Sequence, residues 1–183
     1  EIPLPIDREN RGRTPWEETD HAGAYGGGGM PGELSDREHR IVRAAYWAMC
    51  DLIDEQVGRI LEELDRLGQR ENTIVIFMSD HGEMLGDHGI YLKGPYFYEP
   101  AVHVPLIVSW PGRVTAGRRR ALVELVDLPE TLLDAVGQPA HPGMQGRSFW
   151  PLLTGSAGDL HRADVYSEYY NAMPVHRDPT AQT

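Results

Sequence analysis

The sequence predicts an α/β fold in which helices pack against a sheet, and the order of its elements carries this prediction. A long amphipathic helix is followed by a buried strand, a loop, a second buried strand and a second helix. Such an order is typical of domains built from layers of helices on a sheet. The length of 183 residues suits one ordinary domain or a piece of a larger one.

The first helix is predicted to begin at a capping box and to end at a glycine. In the box, Ser35 and Glu38 can each accept a hydrogen bond from the backbone N–H of the other. Apolar residues then recur at helical spacing over 41–67, and Gly68 is the expected end. The apolar stripe predicts a helix packed on something large, and its length predicts a break or bend within it. Cys50, in its middle, is predicted to be a small buried residue.

Apolar runs predict the strands. The run Thr73–Met78 is β-branched and aromatic without polar alternation, which favours a parallel strand covered on both faces. A second run follows at Val104–Trp110, and a short third strand is predicted over 164–169. Residues 1–34 and 138–163 are rich in breakers and are predicted to be irregular.

The second helix follows the second strand. Its leucines keep helical spacing, and Gly137 stands where the helix is expected to end. Because proline is awkward inside a helix, the regular part is predicted to begin near Pro129, with Asp127 as its cap.

Composition and charge exclude several classes of function. Lys and Arg number 17 against 28 Asp and Glu, and this net charge of −11 argues against a nucleic-acid or anionic-membrane partner. The single cysteine excludes an internal disulfide framework and a multi-cysteine zinc site. No apolar window approaches the ~18 residues of a membrane span. No targeting segment is recognised, so the cytoplasm and the periplasm both stay open.

The residues that follow the first strand are the first candidates for chemistry. Ligands of open α/β sheets bind beyond the carboxyl ends of the strands, and Ser79-Asp80-His81-Gly82 lies at such an end. Asp80 offers a hard oxygen and His81 a borderline nitrogen, a pair suited to a divalent ion. From these residues alone, an alternative stays open in which Asp80 caps the next helix and His81 is merely polar.

The loop that follows is dense in titratable groups and glycines. Residues 82–92 directly follow a buried strand, and a loop in that position favours a site. Lys93 then precedes Gly94-Pro95, which predicts a turn. An ammonium group near a metal site fits an anionic substrate. Taken in isolation, Lys93 also fits an ordinary surface lysine.

Several motifs, in a fixed order, resemble the sulfatase family, the formylglycine-dependent branch of the alkaline-phosphatase-like superfamily. They are Ser79–Gly89, Lys93–Glu99, Val104–Val108, Trp110–Gly112, Asp127–Leu133, Gln145–Ser148 and Pro151–Leu153. The resemblance runs from Arg43 to Glu168. It implies part of an alkaline-phosphatase-like sandwich, with a mostly parallel central sheet flanked by helices. The His that follows Asp80 is similar to the sub-branch that contains choline sulfatases and phosphonate monoester hydrolases.

The resemblance also implies roles for individual residues. Asp80 and His81 would supply half of the shell of one divalent cation, and Lys93 would contact the sulfuryl or phosphoryl oxygens or the leaving group. For Asp87 and His88 the open alternatives are support of the metal ligands, anchoring of a lid and a direct role. The oxygen-rich shell of the family favours Ca²⁺, with Mg²⁺ or Mn²⁺ as alternatives.

The family's nucleophile, a Cys or Ser oxidised to formylglycine, has no counterpart in this sequence. Cys50 lacks the arginine that follows four residues later in the family signature, so it is not that nucleophile. We therefore expect residues 35–158 to be the C-terminal half of the catalytic domain, after an irregular segment at 1–34. Residues 159–183 would begin a C-terminal extension, and the formylglycine would lie in the N-terminal part.

The function expected from the resemblance is hydrolysis of small anionic sulfate esters by the complete protein. A fragment without the nucleophile would be inactive. The alternatives are a phosphonate monoester hydrolase or phosphodiesterase of the same superfamily, and a non-catalytic binding relative. The identity of the ester and assembly into a homo-oligomer are left open by the sequence.

Overall fold

The structure is a computed structural model that describes residues 1–8, 34–93 and 96–169. Most of the segment predicted to be irregular at 1–34, the turn at Gly94-Pro95 and the end of the predicted extension lie outside the described residues. The chain divides into two compact units. The first unit comprises Glu1–Ile53, His81–Val104 and Ser167–Thr183, and the second comprises Asp54–Asp80 and Pro105–Tyr166.

The first helix, α1, spans Asp36–Arg66 and confirms the predicted capping box. The backbone N–H of Ser35 donates to Glu38 Oε2 over 2.8 Å, and the N–H of Glu38 lies 3.4 Å from Ser35 Oγ. The helix ends as predicted, with Gly68 in the left-handed region at a φ of 64°. All 31 residues of α1 form one continuous helix, so the predicted break is wrong.

The apolar stripe of α1 is largely exposed among the described residues. Five of its large apolar side chains are each more than half exposed: Ile41, Met49, Leu52, Ile53 and Ile60. Cys50 is exposed as well, so its predicted burial is wrong. Within the described ranges, His39 is the only residue of α1 that is buried.

The second unit contains a two-stranded sheet. After a short 3₁₀ turn at Arg70–Asn72, β1 spans Val75–Met78 and pairs with β2 at Leu106–Ser109. The pairing is antiparallel, with Val75 opposite Ser109 and Met78 opposite Leu106. The predicted parallel arrangement is therefore wrong for this pair, because a run of apolar residues indicates burial and does not encode the direction of the neighbouring strand.

One face of this sheet packs on the core of the second unit. Ile76, Leu106 and Val108 contact a buried cluster of Leu128, Phe149 and Leu152. On the other face, the cross-strand neighbours Phe77 and Ile107 are exposed. The described residues thus cover the sheet on one side only.

Two helices supply that core. A 3₁₀ turn at Leu125–Asp127 leads into α3 at Leu128–Ala135, and α4 follows at Trp150–Thr154, inside a stretch predicted to be irregular. The predicted start near Pro129 and the stop at Gly137 are confirmed, the latter by a φ of 71°. Asp127 does not cap α3 with its side chain. Its carboxylate instead accepts the N–H of Glu124, 3.0 Å away, and so caps the 3₁₀ turn.

The strand predicted over 164–169 is wrong. These residues have no regular structure, and the backbone N–H of Tyr166 donates to Glu124 Oε1 over 2.5 Å. The Tyr166 N–H is therefore bonded to a side-chain carboxylate and not to the carbonyl of a neighbouring strand.

The first unit has a small core of its own, formed by residues that follow β1 in the sequence. A 3₁₀ turn at Asp87–Gly89 and the short helix α2 at Glu99–Val102 surround buried Met84, Ile90 and Ala101. Tyr96 and Tyr98 pack against this cluster. Through the described ranges, no helix is both long and apolar enough to cross a membrane.

Candidate active site

Asp80 and His81 follow β1, separated from its last residue by Ser79, as the sequence predicts. Asp80 is exposed and ends a segment of the second unit, whereas His81 is half-buried and begins the loop of the first unit. Lys93 is exposed at the far end of that same loop. His81 and Lys93 thus share one unit, and Asp80 is joined to His81 by a peptide bond.

The imidazole of His81 is held in one tautomer. Its Nδ1 lies 2.8 Å from the carbonyl oxygen of Gly82. A carbonyl only accepts hydrogen bonds, so Nδ1 carries the proton, and a neutral ring then has its lone pair on Nε2. Metal-bound histidines almost always donate their second ring N–H in this way. The donor chemistry of Asp80 and His81 therefore fits part of a divalent-metal shell.

The remaining ligands of such a shell are not supplied by the residues described. Over 1–8, 34–93 and 96–169, no group of three or more His, Cys, Asp or Glu side chains is arranged to hold a metal ion. A closed site requires more donors than one carboxylate and one imidazole. We conclude that Asp80 and His81 fit a partial shell.

Gly82 fixes the backbone next to His81 by a close approach that a side chain would prevent. Its N–H donates to the carbonyl of Ala101 over 2.8 Å. A Cβ at this position would lie 1.9 Å from the carbonyl oxygen of Pro100. Only glycine therefore allows the backbone next to His81 to come this close to α2.

The loop between His81 and Lys93 is closed by its own hydrogen bonds. Met84 N–H donates to the carbonyl of Leu92 over 3.0 Å, and Glu83 Oε1 accepts the N–H of Leu92 over 2.6 Å. Glu83 Oε1 also lies 3.1 Å from the N–H of Leu85. The sequence prediction did not single out Glu83, because its partner is a backbone group nine residues away.

Asp87 ties the loop to α1 and to the start of the chain. Its Oδ1 is 2.7 Å from Arg43 Nη2 and 2.9 Å from the N–H of Ile6. Both side chains of the ion pair are only 11% exposed, so solvent screens it weakly. Arg43 also donates to the carbonyls of Leu85 and Pro3, each 3.2 Å away.

His88 lies on the same side of the loop. Its ring stacks on that of Tyr98 with centroids 4.2 Å apart, and its Nδ1 is 3.4 Å from Asp7 Oδ2. Its N–H donates to the carbonyl of Ile6 over 2.8 Å. The contacts of Asp87 and His88 thus hold the loop in place, and their predicted roles toward a metal or a substrate stay predictions.

A buried histidine adds a further link between α1 and the loop. His39 Nδ1 lies 2.6 Å from the hydroxyl of Tyr91, and the two rings are stacked. Burial, followed by the nearby positive charge of Arg8, lowers the pKa of His39 below its ordinary value. The surroundings of His39 therefore favour the neutral imidazole.

The second unit has a cavity, but none of the predicted site residues lines it. The cavity has a volume of about 390 Å³ and is lined by polar groups that include Glu130, Asp134 and Ser148. Ser148 Oγ donates to Asp134 Oδ2 over 2.6 Å.

Comparison with solved structures defines the class of fold. A phosphonate monoester hydrolase from Silicibacter pomeroyi is similar over 85% of this chain and 32% of its own, with a TM-score of 0.68 and 34% identity. The fold is therefore the α/β fold of the alkaline-phosphatase-like proteins, as the sequence predicts.

Sequence comparisons define the family. The sulfatase family model matches residues 11–138, and the chain therefore belongs to the sulfatase family. An arylsulfatase K from Danio rerio is 36% identical over 143 residues, which is 76% of this chain and 27% of that protein. An N-acetylglucosamine-6-O-sulfatase from Bacteroides thetaiotaomicron is 34% identical over 134 residues, 72% of this chain and 24% of that protein. The chain thus spans about a quarter of the length of these curated relatives.

Proposed function

We propose that the protein containing this chain is a metal-dependent hydrolase of sulfate esters, in which Asp80 and His81 bind the metal and Lys93 faces the anionic group. The observation that carries the proposal is the Asp80-His81 pair at the end of β1, with His81 held in a metal-binding tautomer, in a member of the sulfatase family. The names of the similar proteins from Danio rerio and Bacteroides thetaiotaomicron support sulfate as the group removed.

Each of these residues has a defined part in the proposed reaction. A bound divalent cation would act as a Lewis acid toward the ester oxygens. Asp80 contributes negative charge to its shell, and His81 contributes a neutral nitrogen whose orientation is set by Gly82. Lys93 offers an ammonium group that offsets the charge developing on the sulfuryl oxygens or on the departing oxygen. Ca²⁺ is the ion we favour, with Mg²⁺ and Mn²⁺ as alternatives, since hard cations prefer carboxylate oxygen.

We further propose that residues 35–158 form the C-terminal half of the catalytic domain and that 159–183 begin a C-terminal extension. The nucleophile, a formylglycine in this family, would then belong to the N-terminal half. Two findings support this division: the chain spans about a quarter of its relatives, and apolar side chains of α1 and of one sheet face are exposed among the described residues. Those surfaces would be covered by the remainder of the domain.

Metal content and turnover together test the assignment of Asp80 and His81. In the complete protein, Asp80→Ala and His81→Ala should each lower the bound metal, and turnover of 4-nitrophenyl sulfate should fall by at least 10²-fold. Asp65→Ala, at an exposed aspartate near the end of α1, is the matched control and should change neither quantity. If Asp80→Ala retains both the ion and the activity, the site assignment is wrong. Residues 1–183 alone should give no measurable turnover with the same substrate.

A phosphonate monoester hydrolase or phosphodiesterase is the second candidate. It is favoured by the similarity to the Silicibacter pomeroyi enzyme over 85% of this chain, and by the His that follows Asp80. The two candidates differ in kcat/KM for 4-nitrophenyl sulfate against 4-nitrophenyl phenylphosphonate and bis(4-nitrophenyl) phosphate. A preference for either phosphorus ester would replace sulfate hydrolysis as the main activity. Metal binding without turnover of any of the three would indicate a non-catalytic relative.

A further inference from the structure

We propose that Glu83 is the positioning residue for Lys93: its carboxylate fixes the backbone from which the lysine side chain extends. This inference rests on the proposed function of Lys93. Glu83 Oε1 accepts the N–H of Leu92, the residue directly before Lys93, over 2.6 Å. A hydrogen bond to a carboxylate is stronger than one between neutral groups, so it restrains the Lys93 end of a loop whose middle is held by Asp87 and His88.

The peptide groups on both sides of Leu92 are held at once. Glu83 takes its N–H, and the N–H of Met84 donates to its carbonyl over 3.0 Å. Met84 is itself fully buried, so the residue that makes the second contact cannot readily move. Glu83 and Met84, which are neighbours in the sequence, therefore fix both the N–H and the carbonyl of Leu92.

Leu92 needs these two contacts because its backbone is strained. Its φ is 65°, in the left-handed region that a leucine rarely adopts. Strained residues of this kind persist where the surrounding contacts over-determine them, and they concentrate at functional sites. The conformation of Leu92 sets the direction in which the chain enters Lys93. The hydrogen bonds of the loop therefore hold Leu92 in a backbone conformation that a leucine would rarely adopt without them.

The same carboxylate connects the two ends of the loop that carry proposed site residues. Glu83 stands two residues after His81, and the intervening Gly82 is fixed by its bond to Ala101. Leu92 stands next to Lys93. The bond from Glu83 to Leu92 thus limits how far the backbone at Lys93 can move relative to the backbone at His81. An error of about 1 Å in the placement of a group that acts on the reacting atoms can cost about 10²-fold in rate.

Two substitutions separate positioning from a direct role of the Glu83 charge. In the complete protein, Glu83→Ala removes the acceptor and should lower kcat for 4-nitrophenyl sulfate about 10- to 100-fold. Glu83→Gln keeps a carbonyl oxygen that can accept the Leu92 N–H, so it should stay within about threefold of the wild type. Glu63→Ala, at a partly exposed glutamate of α1, is the matched control. Equal losses in Glu83→Ala and Glu83→Gln, or no loss in Glu83→Ala, would overturn the proposal.

A double-mutant cycle with Lys93→Ala tests whether Glu83 acts through the lysine. If it does, Glu83→Ala should cost little in a protein that already carries Lys93→Ala, and the rates of the double variant and of Lys93→Ala should agree within about threefold. The loss in Glu83→Ala should also grow as the leaving group becomes poorer, across a series of substituted phenyl sulfates, because Lys93 is needed most there. A merely structural loss would be the same for every leaving group.

The possible outcomes distinguish this inference from the proposed function. A Lys93→Ala variant as active as the wild type overturns the role of Lys93 and this inference with it. A second outcome is a strong loss of kcat in Lys93→Ala together with a double variant whose loss is the product of the two single losses. That outcome overturns the role of Glu83 and leaves the role of Lys93 intact. If Glu83→Ala does not fold, as judged by thermal unfolding, Glu83→Asp replaces it. That variant keeps the charge but draws the carboxylate back by one methylene, and it should show the same loss and the same dependence on the leaving group.

Discussion

Each of the two units contains a buried aspartate paired with an arginine, but one pair lies next to a hydrophobic core and the other restrains a loop. In the second unit, Asp127 is fully buried and contacts both Nε and Nη2 of Arg162. It also accepts the N–H groups of Glu124 and Arg147, at 3.0 and 2.7 Å. Next to it lies the apolar cluster of Leu128, Phe149 and Leu152. This pair therefore closes a hydrophobic core.

In the first unit, the pair of Asp87 and Arg43 secures a loop with little core behind it. The loop contains three non-glycine residues with positive φ, namely Leu85, His88 and Leu92. Among the described residues, its buried apolar cluster of Met84, Ile90 and Ala101 has two partly buried apolar neighbours, whereas the cluster of the second unit has seven. One pair therefore serves stability, and the other serves the placement of strained residues that lie between His81 and Lys93.

The largest loss of stability is expected from Asp127→Ala. The substitution removes the Asp127 partner of Arg162, which keeps its ion pair with Glu124, and leaves two part-buried N–H groups without their acceptor, so the free energy of unfolding should fall by about 3 kcal/mol. Chemical denaturation of the complete protein measures this loss. Asp65→Ala, at an exposed aspartate, should stay within about 0.5 kcal/mol of the wild type. A loss below about 1 kcal/mol for Asp127→Ala would show that the pair does not hold the core.

Two glycine substitutions separate stability from function. In Gly146→Ala, the new Cβ would lie 2.0 Å from the carbonyl oxygen of Val126, and in Gly82→Ala it would lie 1.9 Å from that of Pro100. Each clash with backbone should cost about 1–3 kcal/mol. At a temperature where both variants of the complete protein are folded, only Gly82→Ala should lose turnover of 4-nitrophenyl sulfate, because only Gly82 adjoins His81. Equal activity losses in the two variants would contradict the comparison.

Local signals made much of the fold predictable from the sequence. Ser35 and Glu38 lie three residues apart and cap the helix whose start they mark, and Gly68 ends it. The prediction of a site at Asp80 and His81 likewise rests on a buried strand and a short polar motif that are contiguous in the sequence. Wherever the partner of a group lies within a few residues, its role follows from propensity and spacing.

Roles that depend on distant partners were mispredicted or missed. Asp127 has the spacing of a helix cap, but its carboxylate is taken by Arg162, 35 residues later in the chain. The direction of β2 relative to β1 depends on the connection between them, which apolar composition does not encode. Glu83 was not singled out because the N–H that it accepts belongs to the backbone of Leu92, nine residues later.

Acidification should affect the first unit before the second. Burial lowers the pKa of His39, so the unfolded chain binds its proton more readily and stability is lost as the pH falls below about 6.5. For Asp127, burial opposes ionisation, but Arg162 and two backbone N–H groups outweigh it and lower the pKa of the carboxyl. Its contribution is therefore lost only as the pH falls below about 4.

Hydrogen exchange, corrected for intrinsic rates, measures this order. At pH 5, the protection factors of residues 84–92 should fall relative to pH 7.5, while those of 124–131 should stay unchanged. Tyr91→Phe removes the hydroxyl that contacts His39 and should weaken the loop at both pH values. Simultaneous loss in both segments at pH 5 would contradict separate control by His39 and Asp127.

The smallest expected effect comes from a substitution that touches neither pair. Gly58 lies inside α1, and a Cβ at this position would meet no atom within 4 Å. Alanine avoids the entropy that a helical glycine loses on folding, so Gly58→Ala should raise the free energy of unfolding of residues 1–183 by about 0.5–1 kcal/mol. If the remainder of the domain covers this part of α1 in the complete protein, the same substitution should gain less there, or lower stability. A gain of equal size in both proteins would show that no neighbour packs closely against Gly58.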